Sequence, residues 1–390
     1  MGCGPRVVVV GAGPAGARVA YRLARAGIAT TILERAPLPR SKPCGGALSP
    51  RVVDLLRRDL PNRHIPAVST SHRITFRCGD AGGFTYPVGD PGVALVERDR
   101  FDGFLVDCAR DVGAELVEGV GALGVEIAGE SAVVHTAAGS FPADIVVGAD
   151  GAASTVARSL GLPPGRHGIA LGARVPGRFA DPHRTDIIVD LDAAPLGYGW
   201  VFPKGEYASV GVGSLDATVP LRGHLEAYLS RLGFAGRVTE GSIRGHPVPM
   251  GIRRVVAGRR FLLVGDAAHL VDPFTGEGIY AALRSGDLAA DAIEGTLARD
   301  DGDLLEYAGM LERDMGEEMR MARRLADLVF PEPGRLFRLL ARDPGLLRSV
   351  AALQAGRIGY GDLWAAVDGM RILRRWDIAT EGVKESGNEG

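Results

Sequence analysis

Gly11-Ala12-Gly13-Pro14-Ala15-Gly16 follows an apolar run, Arg6 to Val10, and opens a segment with helical periodicity. In such a turn the first glycine permits the sharp bend and the second lets backbone approach a pyrophosphate. The third lets helix and strand pack closely, and the helix amino end offers free N–H groups to phosphate oxygens. Glu34, with Arg35 beside it, ends the next apolar run about 20 residues on, where a carboxylate accepts hydrogen bonds from ribose hydroxyls and disfavours a 2′-phosphate. FAD or NAD therefore suits this site better than NADP. A second string of the same spelling, Gly119 to Gly124, leads into extended sequence and reads as a glycine-rich bend.

Two further segments carry polar chemistry. Gly148-Ala149-Asp150-Gly151 ends a short apolar run. Gly265-Asp266-Ala267-Ala268-His269 precedes Asp272-Pro273-Phe274-Thr275-Gly276-Glu277-Gly278-Ile279, which opens another helix. Asp266 can bind sugar-alcohol hydroxyls. Free N–H groups near Gly276 and Gly278 can meet the partial negative charge on a flavin's N1–C2=O edge. His269 reads as structural.

These blocks, in this order, resemble the FAD flavoprotein superfamily of aromatic hydroxylases, halogenases and geranylgeranyl reductases. The resemblance implies that Glu34, Arg98, Asp150 and Asp266 contact or border FAD. Two more motifs resemble the geranylgeranyl reductase family: Lys42-Pro43-Cys44-Gly45-Gly46-Ala47, and Tyr198-Gly199-Trp200-Val201-Phe202-Pro203-Lys204-Gly205. The family implies a reductase that carries hydride from reduced flavin to carbon–carbon double bonds of a prenyl lipid. Lys42 lies in the wrong motif for a halogenase. Other readings are an aromatic monooxygenase and a non-enzymatic prenyl-binding protein.

Strand alternation puts Tyr198, Trp200 and Phe202 on one face, as an apolar substrate wall or as an ordinary core face. Cys44 is a buried small hydrophobe or lies beside the flavin. Cys44, Tyr198 and Trp200 are the candidate catalytic side chains, with Cys44 and Tyr198 as proton donors. Tyr198, Trp200, Phe202 and Lys204 are candidate substrate contacts, Lys204 pairing with a carboxylate or phosphate or standing solvated in a loop. Expected cofactor contacts are Gly11, Gly13, Ala15, Gly16, Glu34, Arg35, Cys44, Gly45, Gly46, Arg98, Asp150, Gly265, Asp266, Pro273, Gly276, Gly278 and Ile279.

The elements that position these residues follow from pattern. Strands are expected at 6–10, 30–34, 115–117, 131–136, 145–148 and 261–264, with helices at 15–26, 101–113 and 276–293. Alternation with Gly, Pro and Asp turns between 72 and 88 and between 169 and 215 predicts antiparallel strands. The fold class is α/β, α+β overall: a Rossmann-like FAD-binding domain (1–70, 94–168, 255–300), an inserted antiparallel sheet (71–93, 169–254) and a helical C-terminal region (301–390). With no second nucleotide fold in sight, NAD(P)H or a ferredoxin-like donor is expected to re-reduce the FAD from the surface.

Composition limits the partners. The net charge of −2 over 390 residues argues against nucleic acid. Cys3, Cys44, Cys78 and Cys108 form no CxxC pair and no short spacing with histidine, which argues against zinc and disulfides and fits a cytoplasmic protein. Only three of 45 basic residues are lysine, and Lys42 and Lys204 both fall in motifs. Between Met319 and Trp376, 11 arginines face five acids, including Asp368, a local +6 that leaves −8 for the remainder. Interleaved with Leu336, Phe337, Leu339, Leu340, Leu346 and Leu347, they read as a helical cap or as a basic amphipathic surface resting on the inner face of the membrane.

Overall fold

The computed structural model describes residues 5–177, 186–238, 241–340 and 342–367. Two large sheets organise it. The first runs Ala257–Gly258, Phe261–Leu263, Ile145–Gly148, Arg6–Val10, Ala29–Glu34 and Glu115–Glu118 in spatial order. All its pairings are parallel except that of the Ala257–Gly258 edge. Val7–Val10 and Ile145–Val147 are buried on both faces, as continuous apolar runs in a covered parallel sheet must be.

The helices Pro14–Arg25 and Ile279–Arg299 pack together against this sheet. Their contact brings sequence-distant motifs together: a methyl added at Gly265 would stand 2.9 Å from Ala15 Cβ. The helix expected from 276 begins at Ile279, because Gly276 takes φ +70° and the preceding turn is closed by Gly276 N–H on the Asp272 carbonyl. The second GxGxxG string leads into the strand Ala122–Ala128 of a separate three-stranded sheet.

The second large sheet has seven strands, in order Arg244–Pro249, His167–Pro176, Tyr207–Ser214, Gly197–Pro203, Ile187–Asp190, Arg73–Arg77 and Gly83–Pro87. It is antiparallel except where Ile187–Asp190 runs parallel to Arg73–Arg77, the seam between its two sequence-distant parts. One face packs Val201, Val210 and Val212 against the helix Leu221–Arg231. The C-terminal helices Glu317–Val329, Pro333–Leu340, Pro344–Gln354 and Tyr360–Val367 pack with Ile74, Phe76 and Ile187.

A small sheet of Ala47–Leu48, Val93–Val96 and Ala67–Ser71 joins the cysteine loop to the start of the Arg98–Asp111 helix. In the C-terminal region Leu336, Phe337, Leu340 and Leu346 face inward, while Arg338, Arg342 and Arg348 are exposed. Asp368, Arg371, Arg374, Arg375 and Trp376, part of the basic surface read from sequence, lie outside the described residues. Among the described residues no helix is long and apolar enough to cross a membrane.

Candidate active site

Three glycines of the first turn have three different surroundings. Gly11 takes φ +108°, and a methyl there would lie 2.4 Å from the Ala149 carbonyl oxygen. At Gly16 a methyl would lie 2.0 Å from Gly11 O, so helix and turn touch backbone to backbone. Gly13 caps the helix, and a methyl there would meet nothing nearer than Arg40 Nη2 at 3.9 Å. The open space lies over the middle glycine, where a pyrophosphate would approach.

Glu34 is buried at the end of its strand. It accepts from Ala12 N–H at 2.9 Å and pairs with Arg40 Nε at 3.1 Å. Arg40 also reaches Asp102 at 3.1 Å, and Asp102 clamps Arg98 through two bonds of 2.8 and 3.0 Å. Arg98 in turn faces the Cys44 sulfur. A buried ionic chain thus links Glu34, at the end of its strand, to the cysteine loop. Arg35 points away from it, exposed beside Gly121. Arg40 is the cation that sequence reasoning missed.

Asp150 Oδ2 accepts from Thr155 and Val156 N–H at 2.6 and 3.1 Å, while its Oδ1 is buried without a partner. Burial pushes this carboxyl above its usual range. Arg253 Nε is likewise buried and unpartnered. Asp266 lies 3.3 Å from Lys42 Nζ and 3.9 Å from His246 Nε2. Burial opposes its charge, but Lys42 and His246 together hold it well below the usual carboxylate range. His246, on the edge strand Arg244–Pro249, carries no motif that could have singled it out.

At the other end, Pro273 is buried and Gly276 exposed to the cleft, and Gly278 caps the Ile279–Arg299 helix without a side-chain bond. The first-turn N–H groups are therefore left for a ligand. Glu277 anchors the neighbouring loop by accepting from Ser49 and Arg51. Asp272, buried, orders the turn by accepting from Phe274 and Thr275 N–H at 2.8 and 2.9 Å. Tyr360 of the C-terminal helices donates its hydroxyl to the same carboxylate.

The aromatic face is present and half open: Tyr198, Trp200 and Phe202 alternate with buried Gly199 and Val201. Tyr198 donates to Thr275 O at 2.5 Å, directly against Gly276, and its ring lies tilted by 42° against Phe330, 6.3 Å between centroids. Burial and the nearby Asp272, Cys44 and Glu277 push its phenol well up, which makes it a poor acid. Trp200 lies over a glycine floor: methyls at Gly211 and Gly172 would stand 2.1 and 3.3 Å from Cζ2.

The cysteine loop touches this wall, since a methyl at Gly45 would meet the Phe202 ring at 2.5 Å. Cys44 is open to solvent although the chain surrounds it, as befits a residue lining an internal cleft. Its sulfur accepts from Gly46 N–H at 3.3 Å. Burial alone would push the thiol up; the Arg98 guanidinium, the Gly46 N–H and Lys204 outweigh it and hold the thiol below its ordinary value. Lys204 stands differently from either expectation: it is buried beneath Gly46, donating to the Val96 carbonyl at 2.7 Å. It is not solvated, and among the described residues it forms no ion pair.

A family model described as an FAD binding domain matches residues 5–188. Over 344 residues the chain is 35% identical to the chloroplastic geranylgeranyl diphosphate reductase of Oryza sativa subsp. japonica, spanning 79% of this chain and 71% of that one. The chain belongs to the geranylgeranyl reductase family. It is also 33% identical over 354 residues to the menaquinone reductase of Mycobacterium tuberculosis (strain ATCC 25618 / H37Rv), covering 83% of this chain and 84% of that one. The solved geranylgeranyl bacteriochlorophyll reductase-like protein of Thermoplasma acidophilum shares the fold, with a TM-score of 0.79 at 23% identity over 94% of this chain and 98% of that one. Members of this family are FAD-dependent oxidoreductases, and the cleft fits that cofactor. Space lies over Gly13, a helix amino end is uncapped, and Asp150 presents a buried carboxylate oxygen without a partner.

Proposed function

We propose that the protein reduces carbon–carbon double bonds of a geranylgeranyl or related prenyl lipid. The observation that carries this reading is the meeting of three parts in one cleft. The half-open aromatic wall touches the cysteine loop through Phe202 and Gly45, and touches the turn before the Ile279–Arg299 helix through Tyr198 and Gly276. An apolar chain on this wall would lie between an activated thiol and an uncapped helix end.

Gly11, Gly13, Ala15 and Gly16 would hold the pyrophosphate of FAD, Glu34 the ribose, Asp150 and Asp266 its polar chain, and Gly276, Gly278 and Ile279 the ring edge. Bound and reduced, FAD supplies the hydride. The residues supply the rest. An isolated alkene has no carbonyl to polarise, so it must be held tightly and dry, and Tyr198, Trp200 and Phe202 provide that surface. The second hydrogen arrives as a proton at the neighbouring carbon. Cys44, with its depressed thiol, is a better donor than Tyr198, whose hydroxyl is committed to Thr275 O. The electron donor is NAD(P)H or a ferredoxin-like protein docking at the surface. Exposed Arg338, Arg342 and Arg348 give the C-terminal helices a face suited to anionic lipid at the inner membrane surface.

The test is mass spectrometry of prenyl diphosphates and menaquinones after incubation with dithionite-reduced holoenzyme. Gains in steps of two hydrogens are expected. Oxygen insertion under aerobic turnover, without alkene reduction, would sink the proposal.

A further inference from the structure

A buried ammonium is costly to keep unless something nearby needs its charge. Lys204 is 6% exposed, and its one hydrogen bond is to a backbone carbonyl, Val96 O. Among the described residues no carboxylate forms an ion pair with it. Glu97, the carboxylate whose charge Lys204 feels, is engaged by Tyr207 and by Arg174 at 2.6 Å. What Lys204 does lie against is the cysteine loop: a methyl at Gly46 would stand 2.3 Å from the Val96 carbonyl oxygen and 2.6 Å from Nζ. Gly46 N–H in turn points at the Cys44 sulfur.

We propose that Lys204 is a positioning residue that acts through Cys44, its buried charge fixing the strength of the sulfur as an acid. This deepens the reductase reading and rests on Cys44 as its proton donor. In the step concerned, the Cys44 S–H bond breaks and its proton bonds to the substrate carbon next to the one that received hydride. The electron pair of that bond stays on sulfur, and the resulting thiolate faces two cations.

Those cations differ. Arg98, at the start of the Arg98–Asp111 helix, is already neutralised by Asp102 at 2.8 Å, whereas Lys204 carries no such partner. Tyr198 from the aromatic strand and Lys42 from the loop itself complete the titratable surroundings. Tyr198 is held neutral by burial, and Lys42 is spent on Asp266. Glu97 and Arg174 face Lys204 from behind. Arg98 therefore acts on the sulfur more strongly, and Lys204 adds a second charge that can be removed without opening the Arg98–Asp102 pair.

The experiment follows iodoacetamide alkylation of the Cys44 peptide against pH by mass spectrometry, on the apoprotein and on the oxidised holoenzyme. Reading a single peptide removes interference from other thiols. Cys78, which burial and the nearby Asp192 and Asp190 push up to about 11, would in any case stay unreactive near neutrality.

Lys204→Ala is expected to move the alkylation curve to higher pH and to slow labelling at pH 7 about tenfold. The alkaline limb of alkene reduction should move in the same direction. Propylammonium should restore both in the variant, and equimolar propanol should not, because only the first replaces charge. A purely structural lysine would lower the melting temperature and leave the alkylation curve in place, which overturns the proposal. So would equal rescue by the amine and the alcohol. Should Lys204→Ala fold poorly, Lys204→Met fills the space and is read the same way. If wild type labels as expected yet reduces no alkene, the reductase reading fails and the electrostatic role of Lys204 stands.

Discussion

At the 11–16 turn glycine makes room for backbone and for a ligand, whereas at 45 and 211 it makes room mainly for aromatic side chains. Gly11 and Gly16 press against Ala149 O and Gly11 O, and Gly13 faces open space. Gly45 and Gly211 press against the Phe202 and Trp200 rings, while Gly46 presses first against the Val96 carbonyl oxygen and then against Lys204. The first kind of site fixes where a nucleotide can lie, and backbone cannot move aside for a methyl. The second kind fixes how deep an aromatic ring sits, and a side chain can be pushed. The same residue type therefore constrains the proposed cofactor site at one end and the proposed substrate wall at the other.

The sharpest test of that contrast lies within the first turn. Gly16→Ala should yield a colourless protein that takes up no flavin in a fluorescence titration, because its methyl would meet backbone oxygen. Gly13→Ala should melt within a few degrees of wild type as apoprotein, yet bind FAD at least about tenfold more weakly, about 1.4 kcal/mol. Equal FAD affinity in Gly13→Ala would break the assignment of that space to the cofactor.

Next in size is the ionic chain joining the two ends. Asp102→Asn leaves Arg98 buried beside an uncharged amide and should cost about 3–5 kcal/mol in a denaturant titration. A loss near zero would show that Arg98 and Arg40 find other partners. At the substrate end, Gly211→Ala should tilt the Trp200 indole into the cleft. FAD content should hold while KM for the prenyl substrate rises about tenfold, and adding Trp200→Phe should recover part of it.

The smallest effect concerns acid. Asp266 is held below its unfolded value by Lys42 and His246. Its contribution is thus fully present above the ordinary carboxylate range and is lost as pH falls through its folded value. Lys42→Ala should raise that folded value and shift the acid-unfolding midpoint of the apoprotein to higher pH. An unchanged midpoint would mean that His246 alone suffices.

Elements with long periods were readable from sequence. The strands Arg6–Val10, Ser131–Thr136 and Ile145–Gly148 have the expected bounds, because apolar runs between glycine turns leave little alternative. The two-residue strand Ala47–Leu48 has no period to read, so the small sheet carrying the cysteine loop was invisible. Arg40 was hidden for another reason: 42 of 45 basic residues are arginine, so the residue type carries no signal. Lysine scarcity did draw attention to Lys204. Its burial, though, is decided by Gly46 and Val96, which are far away in the chain and whose packing no local pattern announces.

The parallel seam between Arg73–Arg77 and Ile187–Asp190 also has a consequence during synthesis. When the hairpin of Arg73–Arg77 and Gly83–Pro87 leaves the ribosome, its inner edge has no neighbour until a much later segment emerges. Such an edge invites pairing with other nascent chains. Arg73 and Arg77 at its two ends, which later pair with Asp186 and Asp190, place positive charge there in the interval. The residues that finally lock the two halves of the sheet would thus serve earlier as guards against wrong partners.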